Sequence, residues 1–281
     1  MKVKITSDST CDLPPELVSR YNIGIAPLLI IMDEKPYRDA LDITAQQVFD
    51  YVDSGAGMPR TSALNVSDYQ ELFKGWLKEA DAVIHLNISS SFSSCFNTAQ
   101  LAAEELDNVY VVDSMNLSTG SGHVVLDAAI MADNGASPVE ILEELKRLTA
   151  CVEASFVIGT IKYLYLGGRC SGLAALGANL LKLNPCIEVV NGKMNVGKKY
   201  RGSFDKIVTQ YVTDRLSGRD DIDKKRLFIT YPPGVSDEIV EQVKAKAVSL
   251  CEFEEVIACE AGCVISNHCG PLCIGVLFYR K

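Results

Sequence analysis

Ala82-Val-Ile-His-Leu-Asn-Ile88 runs straight into Ser89-Ser-Ser-Phe-Ser-Ser94, and the reading of this stretch decides the fold. The first part is an apolar run of strand length. The serines form a polar loop, and the residues up to about Glu105 continue as a helix. Val109–Val112 is the next strand, ending at Asp113-Ser114. A strand, a loop, a helix and a second strand predict a parallel sheet, because parallel neighbours need a crossover and a helix is the usual one.

The same alternation extends in both directions. Val3–Ile5 reads as a strand, Pro14–Arg20 as a short helix, and Ile25–Met32 as one buried apolar strand. Thr44-Ala-Gln-Gln47, Ser67-Asp-Tyr-Gln70 and Ser137-Pro-Val-Glu140 have the spacing of capping boxes, so each should open a helix. The second of these places Tyr69, Leu72, Phe73, Trp76 and Leu77 on one stripe. Gly120–Ala132 reads as a further helix. Beyond Cys151 the pattern changes: Ala154–Ile158 is a strand, Thr160–Leu166 a helical turn, and Ser171–Leu183 a small, apolar, buried helix. Asn191-Gly192 between Ile187–Val190 and Met194–Lys198 is a hairpin signal. Helices near Ser203–Ser217 and Ser236–Leu250 alternate with strands Leu227–Tyr231, Glu254–Cys259 and Cys273–Tyr279. The expectation is an α/β protein of two domains. Residues 1–150 form a parallel-sheet α/β/α unit, and residues 151–281 a mixed-sheet α/β unit covered on one face.

Composition limits the function. The chain has 281 residues, 48% hydrophobic and 22% charged, with a net charge of −9. That acidity argues against nucleic acid as a partner. No run of about 18 apolar residues is present to span a membrane, and MKVKITSDST lacks the apolar core of an export signal, so a cytoplasmic location is expected. Ten cysteines in a reducing compartment read as small buried residues. Cys259, Cys263, Cys269 and Cys273 crowd around His268, but no CxxC pair occurs, so no metal is expected.

The serine tract is the candidate site. A helix N-terminus offers unpaired N–H groups and a partial positive charge, which suit an anion. The same serines also read as a plain helix cap. Thr61-Ser62 supplies a second hydroxyl pair, expected to meet the tract at one edge of the parallel layer. The chain has no GxxxxGK[ST], no GxGxxG and no GxSxG. Of the three histidines, His85 lies in an apolar strand and reads as a core residue. His268, before a Cys-Gly-Pro turn, reads as a loop residue. Arg169 and Arg201, beside glycines, read equally as solvated charges.

Six stretches together resemble the DegV family across the whole chain: Ser7-Asp8-Ser9-Thr10-Cys11-Asp12-Leu13-Pro14, Pro59-Arg60-Thr61-Ser62, Ile88 to Cys95, Tyr163 to Ser171, Lys199-Tyr200-Arg201-Gly202, and His268-Cys269-Gly270-Pro271. Ser94, Cys95, Cys269 and Leu272 depart from the family pattern, where glycine, threonine, threonine and glycine are usual. The resemblance implies a non-catalytic carrier that buries a long-chain fatty acid, such as palmitate, stearate or oleate, between two domains, with no cofactor. It also implies that Thr61 and Ser93 bind the carboxylate. Ser62, Ser94, Arg169, Arg201 and His268 are then supporting residues at the head group or pocket mouth. A partner fatty acid kinase would phosphorylate the bound carboxylate. Two other readings of the same residues are a serine-dependent acyl hydrolase using Ser93 and His268, and a small-molecule sensor or transferase using the anion site without an acyl chain.

Overall fold

A computed structural model describes residues 1–170 and 183–281. The stretch expected as the helix Ser171–Leu183 therefore lies, but for its last residue, outside the described residues.

The opening run forms strand β6 (Ala82–Asn87), in which every residue is buried. It is an inner strand of a four-stranded parallel sheet in the order β2-β1-β6-β7, with β1 at Val3–Asp8, β2 at Gly24–Ala26 and β7 at Val109–Asp113. Burial on both faces explains why β6 is a continuous apolar run rather than an alternating one. His85 is part of this core. Its Nδ1 lies 2.8 Å from the Thr6 hydroxyl and its Nε2 3.1 Å from the Asn87 amide. Burial pushes its pKa down to about 3, so it stays neutral.

The single strand expected over Ile25–Met32 is two strands. Pro27 has no N–H to give to a ladder, and the chain leaves the parallel sheet there. Leu29–Met32 (β3) instead joins an antiparallel sheet of three strands, β4-β3-β5, with β4 at Lys35–Arg38 and β5 at Arg60–Ser62. Helix α1 spans Pro15–Arg20 and helix α2 Ala45–Asp53, the latter opened by the Thr44–Gln47 capping box. The next box is not Ser67–Gln70. Asn65 caps helix α3 (Val66–Trp76) by accepting from the Asp68 N–H at 2.9 Å, and Asp68 reciprocates. Asn65 precedes the helix with extended backbone and so meets the geometry of a cap, whereas Ser67 is already helical.

Helices α4 (Cys95–Ala103), α5 (Ser118–Asp133) and α6 (Pro138–Cys151) follow, α6 with the expected Ser137–Glu140 box. Helix α5 is buried from Ser118 to Ala129. One side packs on β1, and another on β8 (Val152–Ile158), β11 (Ile222–Tyr231) and β13 (Cys273–Arg280). A helix enclosed on all sides needs small and apolar residues all round. The glycine pair Gly120 and Gly122 answers that need: a Cβ on Gly122 would lie 2.5 Å from the Cys11 carbonyl oxygen.

The second sheet has six strands in the order β10-β9-β8-β13-β11-β12, with β9 at Asn184–Val190, β10 at Lys193–Tyr200 and β12 at Glu255–Glu260. Only β11 and β12 run parallel. Asn191 and Gly192 both have positive φ, 50° and 73°, as a two-residue hairpin turn requires. Helices α8 (Phe204–Leu216) and α9 (Asp237–Leu250) share an apolar cluster with one face of this sheet, and α5 lies against the other. Short helix α7 (Lys162–Gly167) follows β8. Helix α10 (Cys263–Cys269) occupies a stretch in which the sequence pattern signals only a turn. His268 is therefore a helical residue and not a loop residue.

Candidate functional site

Three elements from the first half of the chain converge on one hollow. Strand β5 carries Thr61 and Ser62 through its pairing with β3, where Ile30 faces Thr61. The loop after β6 carries Phe92, Ser93 and Ser94 to the start of α4. The turn after β1 adds Thr10. From the second half come Arg169, just past α7, Met194 on β10, and Val264, Ile265, His268 and Cys269 on α10. Together these line a cavity of about 240 Å³. The two hydroxyl loops do meet, though not at an edge of the parallel layer. Thr61 belongs to the small antiparallel sheet.

The serine tract divides its work. Ser89 is fully buried and donates to the Gly192 carbonyl at 2.8 Å, which docks the hairpin tip onto the loop. Ser93 faces the cavity. Its Oγ lies 3.0 Å from the Cys95 thiol and accepts from the Cys95 N–H at 3.3 Å. Ser94 occupies the N-cap position, but its side chain makes no capping bond. The loop itself is held by Asp8, which is completely buried and accepts from the Ile88 N–H at 2.8 Å, from Asn87, and from Thr10. Burial pushes the Asp8 pKa up against these bonds.

His268 Nε2 lies 2.9 Å from the Thr61 hydroxyl, while its buried Nδ1 has no partner. Burial first, and the nearby Arg169 charge second, push its pKa down to about 4, so the ring is neutral at pH 7. A buried orphan N–H is rarer than an orphan acceptor. The proton therefore belongs on Nε2, donating to Thr61 Oγ1, and the Thr61 O–H is turned free to donate into the cavity. Gly167 makes room for this ring: a Cβ there would sit 2.4 Å from His268 Nδ1. Arg169 donates to the Gly167 carbonyl at 2.6 Å and keeps its exposed guanidinium at the mouth.

This geometry does not give the nucleophile and base of a hydrolase. Ser93 and His268 are bonded to different partners, and no carboxylate orients His268 from behind. Arg201, expected at the mouth, is not among the residues lining the cavity. It is exposed at the end of β10, beyond the buried Tyr200. The clustered cysteines are core residues; the Cys263 thiol, for example, donates to the Ile43 carbonyl at 3.2 Å. Among the described residues no group of three or more His, Cys, Asp or Glu is placed to hold a metal.

Beside the cavity lies a second, much smaller hollow of about 20 Å³ and of different character. Leu117, Ile265 and Cys269 line both. From there an apolar slot runs between α5, α10 and the six-stranded sheet, walled by Ala154, Phe156, Tyr231, Pro232, Gly275 and Leu277. Polar groups at its edge are already paired, Thr119 with Thr230 and Ser155 with Tyr211. Sequence patterning misses Leu117, Ile265 and Met194 as site residues, because an apolar wall residue looks like any core residue. Thr10, in contrast, stands in a stretch of the family resemblance.

A polar pocket beside an apolar slot suits the family resemblance noted in the sequence, and comparison bears out the family. The sequence model of the DegV family, a family described as uncharacterised, matches residues 2–281. The chain belongs to the DegV family. A fatty acid-binding protein of Thermotoga maritima is 30% identical over 286 residues, which cover 98% of this chain and 96% of that protein. The structure of a DegV family protein from Thermus thermophilus, described for its fatty acid binding, superposes with a TM-score of 0.91 at 31% identity over all of both chains. A stearic acid-binding protein from Eubacterium ventriosum, 26% identical, gives a TM-score of 0.82 over 99% of this chain and 98% of that one. The α/β architecture of this DegV protein, a parallel and a mixed sheet with a small antiparallel one, is thus the architecture of its relatives.

Proposed function

We propose that this protein is a non-catalytic carrier that holds one long-chain fatty acid. The carboxylate sits at Thr61 and Ser93, and the tail extends from there along the slot between the units 1–150 and 151–281, whose walls must part to admit it, since the slot holds only about 20 Å³. The observation that carries the reading is that Leu117, Ile265 and Cys269 border both a hydroxyl-lined cavity and an apolar slot beside it. A tail of about fourteen buried CH₂ groups contributes roughly 11 kcal/mol gross, from which association removes several kcal/mol. The head group adds little net affinity but must find donors, since an unpaired buried carboxylate is costly. The Thr61 and Ser93 hydroxyls and the α4 N-terminus meet that need without a cofactor. They also explain how an acidic protein binds an anion. No helix among the described residues is long and apolar enough to cross a membrane, in keeping with a carrier that works in the cytoplasm.

Delipidated protein should take up one C14–C18 acid per chain, followed by calorimetry and native mass spectrometry. Ser93→Ala and Thr61→Val should each weaken binding by about 1.5–3 kcal/mol, the worth of a hydrogen bond to a charged group. No uptake of any such acid would end the carrier reading. Unchanged affinity in both variants would move the head group elsewhere.

The carrier also presents its carboxylate to a partner kinase. Arg169 lines the cavity with an exposed guanidinium, and a planar guanidinium suits phosphate. Arg169→Ala and Arg201→Ala should therefore lower acyl-phosphate formation more than they lower fatty-acid affinity, whereas His268→Ala, which frees Thr61, should lower both. Arg201, outside the cavity, can do so only by touching the partner. Turnover at saturating fatty acid beside a binding isotherm for each variant tests this. Full turnover in all three would remove the hand-over role.

A further inference from the structure

Helix α10 is a wall of both hollows. Val264, Ile265, His268 and Cys269 face the cavity, and Ala261, Ile265, Ser266 and Cys269 face the slot. Both ends of this short helix are fastened to the first half of the chain. At its end, His268 meets Thr61, and the Asn267 amide donates to the Pro59 carbonyl at 3.1 Å. At its start, two buried carboxylates take the first free N–H groups. Asp12 accepts from the Gly262 N–H at 2.9 Å, and Asp39 from the Cys263 N–H at 2.8 Å. Each carboxylate is braced in turn by a serine: Ser118 donates to Asp12 at 2.5 Å and Ser9 to Asp39 at 2.7 Å. Ser118 itself borders the slot. Gly262 fits tightly between them, since a Cβ there would lie 3.2 Å from one Asp12 oxygen and 3.4 Å from both Asp39 oxygens.

We propose that Asp12 and Asp39 are positioning residues for the head-group site: by holding the start of α10 they fix His268 against Thr61, and through it the affinity for the carboxylate. The inference rests on the carrier reading for its effect on ligand, but not for its effect on His268. The physical reason is leverage. A helix of seven residues is too short to keep its own register, so its anchors decide where its last turn sits. The ring of His268 must be placed within a few tenths of an ångström to bond Thr61.

The clamp has a pH signature. The titratable groups bearing on Asp12 are Asp39 and Asp8, together with the Cys11 and Cys259 thiols, both pushed up to about 12 by burial. Asp39 faces the Cys263 thiol, which is raised likewise. Burial first, then the neighbouring carboxylates, push Asp12 up to about 8 from its ordinary 3.8. A group raised in the folded state stabilises it fully below the ordinary carboxylate range. That contribution falls as pH rises and is gone above about 8. Asparagine copies the neutral form: its oxygen accepts from Gly262 and its amide donates to Ser118.

The test uses the full chain and palmitate, which is ionised throughout the range. Only three histidines are present, so the ring ¹⁵N resonances of His268 can be followed directly. In Asp12→Ala and Asp39→Ala the His268 resonances should show loss of the Thr61 bond and a pKa rising from about 4 toward 6.5. Palmitate affinity should fall about tenfold or more. Asp12→Asn should keep the wild-type resonances, and its melting temperature should hold to pH 9.5 while that of wild type falls. Folded alanine variants with unaltered His268 resonances would overturn the proposal. Equal pH profiles of wild type and Asp12→Asn would remove Asp12 from it. If the alanine variants do not fold, Gly262→Ala, which crowds both carboxylates, must displace His268, and unaltered resonances there overturn it equally. If wild type takes up no palmitate, the carrier reading fails while the resonances still decide the positioning.

Discussion

Gly167→Ala should weaken ligand binding while leaving the three sheets intact. Alanine is the better helix former by roughly 1 kcal/mol, so the change favours α7 locally. Gly167 has no positive φ, so its backbone needs no glycine for its own sake. The obstacle is entirely in the neighbour. The new Cβ would sit 2.4 Å from His268 Nδ1 and 3.3 Å from its Cε1, inside any permitted contact. The ring must turn or retreat, and with it goes the 2.9 Å contact to Thr61. Thr61 is then free to spend its proton elsewhere. A carboxylate that loses its directed Thr61 donor loses about 1.5–3 kcal/mol, so binding should weaken by roughly tenfold to a hundredfold. Calorimetry with a C16 acid and a thermal melt of the ligand-free protein check the two halves. Ligand affinity within threefold of wild type would show that the ring has room the structure does not provide. The effect is expected to match that of Thr61→Val, because the methyl group reaches the carboxylate only through His268 and Thr61.

Glycine at this position was legible as a turn signal and no more. Sequence patterning follows contacts within an element, and the contact that makes Gly167 necessary spans about a hundred residues. The same distinction runs through the molecule. The run Ala82–Asn87, the boxes at Thr44 and Ser137, and the Asn191-Gly192 turn are local signals, and each forms as its residues dictate. Helix α10 has only seven residues and no cap, so its sequence carries almost no period to detect. The break at Pro27 was passed over inside one expected strand, and the sheet that Leu29–Met32 joins is set by pairing with β5, thirty residues on. Among site residues, Thr61 and Ser93 stood out as hydroxyls in polar loops. The role of Leu117 in both hollows follows only from how α5 is wedged between two sheets.

Replacing Glu153 with glutamine should be the most damaging single change for stability. Glu153 is on β8, the strand through which the second sheet follows α6, and it gathers several cations. Arg219 bonds it through Nη1 at 2.5 Å and Nη2 at 2.8 Å, Arg215 bonds it as well, and Arg280 lies 3.8 Å away. Glu153, Arg215 and Arg219 keep 15%, 17% and 23% of their side-chain surface exposed, so the charges are only weakly screened. Arg215 also reaches Glu188 on β9 at 2.6 Å, and Arg219 reaches Asp221 at 2.6 Å. These partners satisfy part of the guanidinium charge once Glu153 is neutral, which keeps the cost below the worst case. Breaking a buried ion pair from one side costs about 3–5 kcal/mol, which lowers the melting temperature by roughly 6–15 °C in a chain of this size. Arg219→Gln should cost less, and the double variant less than the sum, since the two changes remove one shared interaction. The ligand readout separates this from the clamp at Asp12 and Asp39. Strand β9 leads into the hairpin whose tip bonds Ser89, and Met194 on its return strand lines the cavity. The hydroxyls and His268, however, are held by other elements. At a temperature where Glu153→Gln is folded, one fatty acid per chain should still bind, with an affinity close to wild type. A melting temperature unchanged within a degree would mean that Glu188 and Asp221 alone satisfy the two arginines.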